Sequence, residues 1–158
     1  MFCGCSKVAT IDVSKFNTAN AKMMQYMFSS CSSLVSVDLS SFSTENVINM
    51  EQIFYGCSLL KSIDMSSFKT PNVTNVCNMF NMCYALTSLD LSNFDTSKVT
   101  NMNWTFSNLR SLKTLTLGEN FAFYGTVYGL TGTWVNSARE EFDAKEIPGN
   151  VADTYMKI

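Results

Sequence analysis

An α/β solenoid of stacked 26-residue units, closed by a small β-rich segment, is the fold class this sequence predicts, and three observations carry it. Cys5, Cys31, Cys57 and Cys83 stand 26 residues apart, and the same step carries Phe2 to Phe28, Phe54, Phe80 and Phe106. A fixed period between about 20 and 50 residues marks arrays in which each unit buries its apolar face only by stacking on its neighbours. Inside each unit an apolar period of two alternates with one of three to four. The composition is 46% hydrophobic but only 15% charged, against about 25% charged in an ordinary soluble domain. Twenty Ser, 15 Thr and 15 Asn make up the difference, so the surface is built of hydroxyls and amides.

In register, the units start at residues 1, 27, 53 and 79, with a partial one at 105, and fill residues 1–117. The clearest contains Leu86-x-x-Leu89-x-Leu91-x-x-Phe94, the leucine-rich-repeat pattern with Phe where Asn or Cys is usual. Leu89 and Leu91 point inward from a short strand, and Ile11 and Val13, Val37 and Leu39, and Ile63 and Met65 fill the same slots. In the second half, Val99, Met102, Thr105 and Phe106 fall at i, i+3, i+6 and i+7, as do Val47, Met50, Ile53 and Phe54. That spacing predicts one face of a short helix. Thr18, Thr44, Thr70 and Thr96 stand where its N-cap would be, and Pro71 suits a first helical turn. The expected architecture is a right-handed leucine-rich-repeat solenoid with one parallel sheet on the concave face and short helices on the convex face.

Four of the six cysteines are therefore one position seen four times. Stacked Cα atoms about 5 Å apart could be bridged. Leu109 takes the same slot in the fifth unit, which favours small buried thiols over disulfides. Met24, Met50 and Met102 recur at the unit spacing and read as core fillers.

After Leu117 the period stops, aromatics and glycines enter, and residues 118–158 form the expected C-terminal cap or small β module. Leu130–Asn136 reads as a strand, 136–139 as a turn, Glu140–Asp143 as the returning strand and Asp143–Ile147 as a helical turn. Nothing comparable precedes the first unit, so the chain is expected to be a fragment of a longer protein.

Histidine is absent, which removes the commonest general base and zinc ligand. A net charge of −2 argues against a nucleic-acid partner, which needs a basic stripe. No apolar run reaches the roughly 18 residues of a membrane span, so no membrane insertion by this segment is expected. What repeats without needing burial is the outward triplet of each strand: Thr10, Asp12, Ser14; Ser36, Asp38, Ser40; Ser62, Asp64, Ser66; Ser88, Asp90, Ser92. Neighbouring carboxylates about 5 Å apart repel by about 1 kcal/mol in water and about 3 at an effective dielectric of 20. Either each Asp accepts hydrogen bonds from flanking Ser and Thr hydroxyls, or the row is a concave binding face for cationic or hydroxyl groups. Calcium wants six to eight oxygens, and one carboxylate per unit offers too few without waters. The spacing suits paired-carboxylate glycoside hydrolysis, but equivalent acids in a row have nothing to push two pKa values apart. No catalytic, cofactor-binding or metal-ligating residues are assigned.

The run Phe-x-x-Cys-x-x-Leu-x-Ser-hydrophobic-Asp-hydrophobic-Ser-x-Phe-x-Thr-x-Asn-Val-x-Asn-Met, best matched by residues 28–50 and 80–102, resembles the BspA-like leucine-rich-repeat surface proteins. Lys98 replaces Asn, Ala21 replaces Val in the first unit, and Thr116 replaces Asp in the fifth. The resemblance implies an exported, cell-surface protein used in attachment, and it implies no catalytic residues. The expected function is that of a non-catalytic binding module, a fragment of a bacterial adhesin whose concave face recognises extracellular protein or glycan. The alternatives are a structural spacer or a scaffold with no ligand of its own.

Overall fold

The computed structural model describes all 158 residues. Its elements are seven strands: β1 (Thr10–Ile11), β2 (Ser36–Val37), β3 (Ser88–Leu91), β4 (Thr114–Leu117), β5 (Thr133–Val135), β6 (Glu141–Asp143) and β7 (Asp153–Lys157). There is no helix, so the fold is all-β, and the α/β leucine-rich-repeat solenoid expected from the sequence is overturned. The single parallel sheet is corrected as well. β1 and β2 pair in parallel as one sheet, and β3-β4-β7-β5-β6 form a second. Between them Ser62–Met65 keeps the alternation, with Ile63 half-buried and Met65 buried, but does not pair as a strand.

The period of 26 is nevertheless a physical repeat, because the chain winds into coils whose backbones bond to one another. Met50, Gln52, Phe54 and Gly56 donate their N–H groups to the carbonyls of Asn75, Cys77, Met79 and Asn81, each 25 residues on. Met24, Tyr26, Phe28 and Ser30 do the same one coil earlier, and Val76, Asn78, Phe80 and Met82 one coil later. The intervening N–H groups of Ile53, Tyr55 and Cys57 close turns on the carbonyls three residues back. A helix would need all these donors for carbonyls four residues back. They are spent on neighbouring coils and tight turns, and that is why Val47–Phe54 and Val99–Phe106 are not helical.

The apolar pattern was misleading for a geometric reason. A succession of turns places Val47, Met50 and Ile53, then Phe54, Cys57 and Leu60, on the inside, all fully buried. Steps of three rotate about 300° on a helix, so such a stripe would slip roughly 60° at every step. The turns also require left-handed backbone at two columns. Tyr26, Gln52, Asn78 and Trp104 have φ of 59, 53, 55 and 55°, and Ser30, Gly56, Met82 and Asn108 have 59, 70, 65 and 61°. Only glycine adopts that region without steric cost.

The four threonines expected as N-caps are instead the bolts between coils. The Thr44 hydroxyl donates to the Lys69 carbonyl (2.7 Å) and accepts from the Lys69 N–H (2.8 Å). Thr18 does the same with Ser43, Thr70 with Asp95 and Thr96 with Ala122, all at 2.7–3.0 Å. Each of these threonines is buried.

Phenylalanine forms the spine of the core. The rings of Phe2, Phe28, Phe54, Phe80 and Phe106 stack at centroid spacings of 5.7, 5.5, 6.1 and 6.4 Å. All six cysteines are free thiols. Those of Cys31, Cys57 and Cys83 donate at 3.1–3.2 Å to the carbonyls of Phe2, Phe28 and Phe54. Burial raises the pKa of Cys31 and Cys57 and pushes Cys83 up to about 12. Deprotonation would place an unsolvated charge in the core.

At the far end, β7 lies antiparallel on β4, with Leu115 opposite Tyr155, and the expected hairpin appears as β5 and β6. Trp134 and Tyr155 are fully buried and cover the last coil. The helical turn at 143–147 is a tight turn, in which Glu146 donates its N–H to the Asp143 carbonyl. At the opposite end Phe2, Cys5, Ile11, Phe16 and Ala21 are half-buried, whereas Phe28, Cys31, Phe42 and Val47 one coil later are buried.

Two expectations follow. Ser30 is exposed and left-handed in the column that holds Gly4 and Gly56, so Ser30→Gly should raise the unfolding free energy by about 0.5–1 kcal/mol. A loss on urea unfolding would show that this conformation carries no cost. Thr44→Val preserves shape but orphans the N–H and C=O of Lys69, and should lower stability by about 1–3 kcal/mol in the same measurement.

Candidate functional site

The outward triplets share one exposed polar face. Parallel pairing sets Thr10 against Ser36 and, further along, Ser88 against Thr114 and Asp90 against Thr116. The third coil is held in line by flanking bonds: the Ser67 hydroxyl donates to the Leu39 carbonyl (2.9 Å), and the Asn93 amide to the Ser66 carbonyl (3.1 Å). Thr10, Asp12, Ser14, Ser36, Asp38, Ser40, Ser62, Asp64, Ser66, Ser88, Asp90 and Ser92 are all exposed.

The carboxylates have a local partner in every coil. Oδ1 of Asp12, Asp38, Asp64 and Asp90 accepts the backbone N–H of Ser14, Ser40, Ser66 and Ser92, each at 2.9 Å. This Asx-type bond turns the chain out of the strand. Bonding to the ionised form lowers the carboxyl pKa. The N–H and then the hydroxyl of Ser14 and of Ser40 lower Asp12 and Asp38, and the hydroxyl and then the N–H of Ser66 lower Asp64. Of the two accounts open in the sequence, the flanking serine therefore does bond the aspartate, chiefly through an N–H that composition cannot display.

A second polar column escaped the sequence reading. Met23, Asn49, Asn75 and Asn101 bridge in parallel from coil to coil. The side-chain oxygens of Asn49, Asn75 and Asn101 accept the N–H two residues on, at 2.8–3.2 Å, and the Asn75 amide donates to Glu51 at 3.1 Å. Its signal was an Asn recurring every 26 residues at 49, 75 and 101, followed by Met50, Val76 and Met102. No three His, Cys, Asp or Glu side chains converge to hold a metal ion.

These features define a class: a stack of bonded β coils presenting one repeated polar face. A family model described as "Mycoplasma protein of unknown function, DUF285" matches residues 35–119, more than half of the chain. The chain belongs to that family. No curated protein and no solved structure matches it.

The capping bond separates two roles of the aspartates. Asn can accept the same N–H but without the charge, so Asp38→Asn should lower the melting temperature less than Asp38→Ala does. The depressed carboxyls of Asp12, Asp38 and Asp64 contribute stability above their ordinary value of 3.8. That contribution disappears as pH falls through their lower folded-state values. Thermal melts between pH 5 and pH 2 should show the loss, with a shallower slope when the three are replaced by Asn.

Proposed function

We propose that this chain is a non-catalytic binding module of the BspA-like type, part of an exported cell-surface adhesin, and that its Ser/Thr/Asp face recognises extracellular protein or glycan. The observation that carries the reading is the row of exposed carboxylates, each oriented by its own 2.9 Å capping bond. A ligand bearing cationic or hydroxyl groups would meet acceptors that need no reordering, which reduces the cost of association. The equivalence of the carboxylates favours binding over catalysis. The same kind of bond lowers Asp12, Asp38 and Asp64 alike, and acid–base chemistry needs one carboxyl raised against another.

Four coils at about 4.8 Å present a face only about 19 Å wide, and a standard interface needs about 800 Å² per partner. Single copies should bind weakly, and clustering should strengthen them through avidity.

One observation favours a second reading, that of a spacer. Capping alone gives each aspartate a structural reason to recur. The triple change Asp38→Asn, Asp64→Asn and Asp90→Asn distinguishes the two, because it removes charge and keeps the caps. Displayed on multivalent beads over glycan and cell-surface-protein arrays, the wild-type chain should be retained and the triple variant lost. Equal retention of both would overturn recognition by this face and leave the spacer. Protease shaving of intact cells should release the parent protein if it is at the surface.

A further inference from the structure

The corner where the last coil meets the cap holds an open cavity of about 260 Å³, lined by none of the outward triplets. Leu109 stands one period after Cys83, and β4 still follows the coil path, parallel to β3, before the chain turns into the cap. Phe106, Leu109 and Leu112, all buried, form the floor, and the fully buried Trp134 stands at one wall.

Two cations stand at its rim, Arg110 and Lys157. They make both of the cation–aromatic contacts in the chain. The Arg110 guanidinium carbon lies 4.4 Å from the Tyr84 ring centroid, and Lys157 Nζ lies 5.8 Å from that of Trp134. Neither has a carboxylate within salt-bridge distance, since the one ion pair of the chain joins Lys69 to Glu45. Gly132 has φ of +93°, and a Cβ there would come within 2.5 Å of Lys157 Cε. Glycine is therefore what lets the lysine stem lie along this edge. The Trp134 Nε1–H is already spent on the Thr131 carbonyl at 3.2 Å, so the indole offers the cavity a surface rather than a donor.

We propose that this cavity binds a compact organic carboxylate, with its charge held by Arg110 and Lys157. Ring faces orient both cations without neutralising them, and the planar guanidinium matches a carboxylate in a two-bond fork. The carboxylate could come from a free acid or from the last residue of a polypeptide.

In a Trp104→Phe background Trp134 is the sole tryptophan and reports directly. Benzoate should give a saturable change in its emission, and benzamide and inorganic phosphate should not. Arg110→Gln or Lys157→Gln should each weaken benzoate about tenfold or more, with unshifted melting temperatures. N-acetyl-phenylalanine against its amide separates the sources: saturation by the acid as well as by benzoate supports a chain terminus, and saturation by benzoate alone supports a free acid. Benzamide or phosphate binding as well as benzoate, no saturation by either acid, or Gln variants that bind like the parent would overturn the proposal. The Asp38, Asp64 and Asp90 to Asn variant should bind benzoate unchanged, so the outcome is independent of the polar face.

Discussion

The structure depends on where backbone N–H groups are spent. Through the turn segment of each coil, donors such as those of Met50, Gln52, Phe54 and Gly56 point to the following coil, and the donors between them close turns within their own. An unpaired buried backbone group costs about as much as a lost hydrogen bond, so this allocation admits no alternative partner once the coils are stacked. It sets the 26-residue step, because a coil one residue longer would shift every later carbonyl off its donor. It also demands left-handed backbone twice per coil, a cost met by Gly56 in one place and borne by Tyr26, Ser30 and Met82 in others.

Everything inside the coils is periodic because the ladder is. The stacked rings from Phe2 to Phe106 repeat once per coil at 5.5–6.4 Å, wider than the roughly 4.8 Å between adjacent β backbones. The thiols of Cys31, Cys57 and Cys83 sit against carbonyls of the preceding coil, and the threonines fasten each coil to the next with two bonds. Mixed roles of one side chain are a general feature of this array. Asp38 terminates a strand and also contributes to the acidic row, so a structural reason for its repetition coexists with a recognition reading. The cap ends the stack by turning β7 antiparallel to β4, which pairs the last edge and leaves the cavity flanked by Arg110 and Lys157.

How much was legible differs from residue to residue. The repeat, its register, the inward residues Leu89 and Leu91, the outward triplets and the β5–β6 hairpin could all be read, since each follows from spacing or alternation along the chain. Helices could not be distinguished from turns, because Val47, Met50 and Ile53 satisfy a helical template over a short window and betray the three-residue step only when followed to Leu60. The threonines looked like N-caps because their chemistry is that of a cap, a hydroxyl bonding a nearby backbone N–H, here supplied 25 residues away.

By itself, then, the sequence determined periodicity, the identity of the core and the polarity of the face, because these depend on which residues recur at which interval. Only the tertiary structure decided that the second half of each coil is a run of turns, that the aspartates are caps, and that two cations come to rest on aromatic rings beside a cavity. The stacking of turns and the seating of the cations depend on partners about a coil away, the aspartate caps on a backbone N–H two residues on, and a backbone donor carries no mark in the sequence of which acceptor it will find.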